Sequence, residues 1–78
     1  MIVNVTEQHI ISGVRRSICA CPVANACADV LKDFIFANPK KISTKEKNYK
    51  TPPNVIDRMR LFDNTGQMEP FSFELTDE

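Results

Sequence analysis

The chain has 78 residues, 42% of them hydrophobic, and its ten basic side chains balance ten acidic ones. That length supports one small domain, residues 1–78, with a single modest core, and the composition is that of a folded chain rather than a disordered one. No apolar run approaches the roughly 20 residues of a membrane helix, the start MIVNVTEQHI lacks the basic-then-apolar pattern of a secretion signal, and three cysteines, an odd number, argue against a disulfide framework.

IVNV (2–5) has β-branched residues around Asn4 and predicts a short strand. Thr6 offers an N-cap hydroxyl, and TEQHIISG predicts a helix of one to two turns with Ile10 facing the core. Gly13 is expected to end it in the left-handed conformation. Residues 14–20 read as a connector. Pro22 suits the first turn of a second helix, where its missing N–H costs nothing. Val23, Cys27, Val30, Leu31 and Phe34 recur on one stripe of that helix, which is expected to end near Asp33. FIFA (34–37), KKIST (40–44) and KNYKT (47–51), separated by Asn38-Pro39 and by the polar segment around Lys45, read as short strands or a hairpin. Thr51-Pro52-Pro53 reads as a cap and a helix start, Val55, Ile56, Met59 and Phe62 share one face of that helix, and Asn64-Thr65-Gly66 stops it. In FSFEL (71–75), Phe71, Phe73 and Leu75 alternate with Ser72 and Glu74, which predicts a half-buried strand.

The zero net charge hides an asymmetry. Residues 39–60 carry Lys40, Lys41, Lys45, Lys47, Lys50, Arg58 and Arg60 against only Glu46 and Asp57, whereas Asp63, Glu69, Glu74, Asp77 and Glu78 make residues 61–78 acidic. Either an anionic partner is oriented by this dipole, or the acidic C-terminal strand lies near the basic hairpin and neutralises it.

Cys19, Cys21 and Cys27, with His9, are four donors of the kinds zinc accepts. Positions 21 and 27 are six apart on one helix and so rotated by about 240°, and no C-x2-C knuckle is present, so no metal is expected. Cys21 at a helix N-terminus would have its thiol pKa lowered by the backbone amides, but it has no C-x-x-C partner, and the thiols read as packing and capping residues. His9 reads as a structural hydrogen-bonding residue. With no phosphate loop, paired carboxylates or nucleophile motif, an enzyme is the weakest broad class, and no catalytic residue or cofactor is expected.

Arg15, Arg16 and Ser17 precede a helix whose first N–H groups lack partners. Guanidinium groups beside such a start can hold a phosphate. An anion site is therefore expected at Arg15, Arg16 and Ser17, joined by Arg58, Arg60 or Lys50 from a neighbouring subunit. The alternative is that the two arginines are solvated or pair with Asp29 and Asp33.

V-T-E-Q-H-I-x-x-G (5–13), C-P-V-A-x-A (21–26), P-P-N-V (52–55) and L-F-D-x-x-G-Q-M-E-P-F-S-F-E-L (61–75), in this order, resemble a group of small phage and prophage proteins. In those, a short strand and a T-x-x-H-I-x-x-G turn precede a C-P-[IV]-A-x-A helix, and the chain closes in F-D-x-G-x-x-x-P-F-S-F-x-L. The C-terminal block is the most specific part. Asn64-Thr65 lengthens its turn by one residue, and the basic central region has no counterpart. The resemblance implies a phage-encoded accessory protein of the host bacterial cytoplasm and assigns no catalytic residues.

The expected fold is α+β: a small antiparallel sheet, with the N- and C-terminal strands pairing and a central hairpin, packed against two helices. The expected function is non-enzymatic inhibition of a host process, with counter-defence as one form, by blocking a host bacterial protein or sequestering an anionic signalling nucleotide. The alternative is a nucleic-acid-binding or regulatory protein that uses the basic 40–60 region, whose aromatic residue is Tyr49. A homo-oligomer through the FSFEL edge or the alanine-lined helix face is a further expectation.

Overall fold

A computed structural model describes residues 1–76; Asp77 and Glu78, two of the C-terminal acids, lie outside the described residues. The element order is β1 (Ile2–Val5), α1 (Glu7–Ile11), α2 (Pro22–Leu31), β2 (Phe36–Ala37), β3 (Lys41–Ser43), β4 (Asn48–Lys50), α3 (Pro53–Thr65) and β5 (Phe71–Glu74). The fold is a small α+β one, as the sequence predicts.

The terminal strands pair antiparallel, with Val3 opposite Phe73 and Asn4 opposite Ser72. The alternation in each strand sends Val3, Val5, Phe73 and Leu75 inward. The central strands form a separate antiparallel sheet in the order β2-β3-β4. Ala37, Ile42 and Tyr49 lie side by side in it and are all buried. Helix α2 packs against β1, α1 and β2, and its Val23, Ala26 and Cys27 join the buried residues of both sheets, and Val55 and Met59 of α3, in one core.

Four local expectations are corrected. Gly13 does not have a positive φ; α1 ends at Ser12 in the right-handed region. Glycine is needed there for space, because a Cβ would lie 2.7 Å from Cγ and Cδ of Pro22. Helix α2 stops at Leu31 because Lys32 takes a left-handed φ of 56°, which puts Phe34 beyond the helix and exposed; Val30, within the helix, is exposed as well and is not on the core stripe. The segment 34–37 is strand only at Phe36–Ala37. Thr51 does not cap α3, whose N-cap is Pro52; it is buried, and its hydroxyl donates to the Asn38 carbonyl at 2.9 Å.

Candidate functional site

The connector 14–20 is tied at both ends. Val14 N–H donates to the Ala20 carbonyl at 2.8 Å and Ala20 N–H to the Ser17 hydroxyl at 3.1 Å. On its far side the connector holds the C-terminus of α3. Arg15 Nη2 donates to the carbonyls of Asp63 (3.0 Å) and Asn64 (2.8 Å), and its Nε to Asp63 again (3.2 Å). A cation on the last carbonyls of a helix satisfies unpaired acceptors and complements the dipole. The next residue, Arg16, has a φ of 61°, and its N–H donates to Asp63 Oδ1 at 2.9 Å. Further along, Ala37 N–H donates to the Ile18 carbonyl, so the connector also borders the β2 edge.

Between these attachments lies a cavity of about 160 Å³. Its wall is apolar, with Ile18, Val23, Met59, Phe62 and Met68 facing it; Arg16, Ser17, Asn38 and Asp63 add polar groups. Of the expected anion-site residues, the structure brings Arg16 and Ser17 to this cavity. Arg15 is engaged on α3. Arg58 lies elsewhere, with its guanidinium 4.5 Å from the centroid of the Phe71 ring and Nη1 on the Asn54 carbonyl, and it lines a different hollow with Leu61 and Glu69. Arg60 and Lys50 are exposed and line neither hollow.

Asp63, Asn38 and Met68 belong to the site but were not expected there. The signal for Asp63 was its position: an acid in the last turn of a helix opposes the dipole and so needs another reason to be present.

The thiols and the histidine are committed to local structure. Cys21 is the N-cap of α2, with Sγ accepting from Ala24 N–H at 3.4 Å. Burial pushes its pKa up and outweighs the lowering by backbone hydrogen bonds; the nearby Asp63 charge adds to the rise. The lowered pKa expected from the helix start is therefore corrected. Burial likewise pushes Cys27 up to about 12, with the neighbouring Cys21 reinforcing it. Cys19 is exposed. His9 Nδ1 accepts from Thr6 N–H at 3.0 Å and completes a capping box for α1. Nε2 must then carry the proton, and it donates to the Asp29 carboxylate. No cluster of three or more metal-ligating side chains occurs among the described residues, and none of their helices is long and apolar enough to cross a membrane.

A second surface is electrostatic. Lys40, Lys41, Lys45, Lys47 and Lys50 all lie exposed on or beside the β3-β4 hairpin, and Lys41 stands directly opposite Lys50. The only ion pair among the described residues is Met1 with Glu74; the His9–Asp29 contact is a hydrogen bond from the neutral ring. The acidic strand β5 pairs with β1, in the other sheet, and not with the hairpin. Tyr49, the aromatic residue of this basic span, is buried. Comparison with protein-family models, with curated proteins and with solved structures finds no significant match.

Proposed function

We propose that the protein is a phage-encoded accessory protein that inhibits a host bacterial process by binding, without catalysis, and that its partner is a cytoplasmic host protein with an acidic surface. The observation that carries this reading is the lysine face of the central sheet. Five exposed lysines lie on or beside its hairpin, whose connecting turn adds only Glu46, and none forms an ion pair among the described residues; such a field attracts and orients an anionic surface. The commitment of His9, Cys21 and Cys27 to caps and core supports a binding role over a catalytic one. The phage origin rests on the motif order described above.

Expression in bacterial hosts should alter growth or phage susceptibility, and affinity purification should recover one acidic protein whose retention falls with salt. The paired substitutions Lys41→Glu and Lys50→Glu should abolish both effects. No phenotype and no retained partner across several hosts would remove this reading.

The same lysines favour nucleic acid as a second reading, because phosphate neutralisation needs only charge. Burial of Tyr49 withdraws the stacking platform that single strands use, so the protein partner is preferred. A gel-shift titration decides: binding of duplex DNA or RNA with a steep salt slope would favour the second reading.

A further inference from the structure

Two locally unfavourable choices meet in the lining of the connector cavity. Arg16 adopts a left-handed φ of 61°, where a long side chain is uncommon and which marks functional sites more often than ordinary loops. Asp63 places a carboxylate at the negative end of α3. They are joined through the Arg16 N–H on Asp63 Oδ1 at 2.9 Å, and both residues line the same cavity. The Arg16 guanidinium and the Asp63 carboxylate nevertheless form no ion pair with each other, nor with any other described residue. Below them is an apolar space of about 160 Å³, roughly that of a cavity that accommodates one benzene ring. Met59 and Met68 in its wall are flexible thioether side chains that can adapt to an occupant.

A guanidinium, a carboxylate and an apolar hole at one opening match the three parts of an amino acid. We propose that this cavity binds a free α-amino acid with an apolar side chain between leucine and phenylalanine in size. The carboxylate lies at Arg16, with the Ser17 hydroxyl beside it, and the ammonium at Asp63. The side chain packs against Ile18, Met59 and Met68 of the wall. A peptide residue within a chain lacks both charges, and a nucleotide phosphate would meet the Asp63 carboxylate, so neither fits as well. None of the five lysines lines the cavity, although Asn38 in its wall accepts from the Lys40 and Lys41 N–H groups; the titration with free amino acids reads the site separately from the host-partner reading.

Calorimetric titration of the full chain with L-leucine, L-methionine and L-phenylalanine should give saturable binding for at least one of them, with a Kd on the order of 10 µM to 1 mM for a ligand this small. N-acetyl-L-leucine and L-leucinamide each lack one charge and should bind about tenfold more weakly or worse, as charge-assisted hydrogen bonds require. Asp63→Asn keeps an oxygen for the Arg16 N–H but removes the charge, so it should weaken leucine while leaving N-acetyl-leucine unchanged. Arg16→Gly suits the positive φ, keeps the fold, and should reduce leucine to the affinity of leucinamide. Amide NMR shifts on adding leucine should centre on Ile18 and Val23. Absence of saturable binding by all three amino acids, equal binding of leucine and its N-acetyl form, or shifts centred away from the connector would each overturn the proposal.

Discussion

The two sheets bury one row of side chains each and differ in what they leave on the wet side. In the terminal sheet the polar groups of the exposed row, which also carries Ile2, are paired: the Ser72 hydroxyl hydrogen-bonds the Asn4 side chain opposite it, and the N-terminal ammonium of Met1 meets the Glu74 carboxylate. In the central sheet Lys41 faces Lys50 across the ladder, a like-charge pair that disfavours folding. The first arrangement is what stability alone selects. The second runs against it, and that is the ground for proposing the partner surface there.

The strongest way to break this comparison is to remove the terminal sheet's anchor. Phe73 is 5% exposed and stands opposite Val3, itself fully buried. Phe73→Ala should cost about 3–5 kcal/mol, a large part of the roughly 0.05–0.15 kcal/mol per residue that holds a small domain together. The urea midpoint should fall accordingly. A loss below about 1 kcal/mol would mean that the terminal sheet is not where stability resides.

Next in size is the cap that closes α3. Arg15→Ala leaves the carbonyls of Asp63 and Asn64 without their charged donor and should cost about 1–3 kcal/mol. Arg15→Lys should restore only part of this, because an ammonium cannot reproduce the planar fork that reaches two carbonyls. Full recovery with lysine, read by thermal unfolding, would show that charge alone matters there.

The buried thiols make stability depend on alkaline pH. Cys27 has an ordinary value of 9.0 and is pushed up to about 12 in the folded chain. Between those values the folded protein holds a proton that the unfolded chain has released, so stability falls as pH rises. It is fully present below about pH 9 and declines towards about pH 12, by up to roughly 1.4 kcal/mol per pH unit for one such group. Cys21 is shifted in the same direction and adds to the trend. Cys27→Ala should lower stability at neutral pH through lost packing but flatten the alkaline slope. An unchanged slope would show that Cys27 does not govern it.

The parts legible in the sequence are those fixed by short-range chemistry. Proline after Cys21, the alternation of FSFEL, and glycine at position 66, with its φ of 76°, each announce an element within a few residues. The β1-β5 pairing was legible too, because two half-buried strands at opposite ends of a small chain need each other to cover a face. The cavity was not legible as a unit. Its polar mouth depends on Arg16 meeting Asp63, 47 residues away, and on Arg15 being spent on α3 instead of solvent. Helical periodicity placed Phe34 with the core, because it could not foresee that Lys32 turns the chain left-handed and ends the helix; it also placed Val30 there, on a helical position that nothing packs over. Thr51 carried the composition of a cap but was drawn inward to the Asn38 carbonyl, a contact that only the folded hairpin provides.

The smallest effect sharpens the comparison most. Lys41→Glu converts the like-charge pair with Lys50 into an opposite-charge one, on an exposed position where no packing is disturbed. Cross-strand pairs of this kind contribute about 0.2–1 kcal/mol, so the variant should be slightly more stable than the wild type in low salt, with the gain fading as salt screens it. The same substitution should weaken binding to an acidic host partner, since it replaces a positive charge with a negative one on the proposed lysine face. Stability and binding would then move in opposite directions from one substitution. A residue present only for the fold cannot produce that divergence, because improving its local pairing would leave binding unchanged. If Lys41→Glu raises stability and leaves partner retention intact, the lysine face is an ordinary solvated surface and the binding site must be sought elsewhere on the molecule.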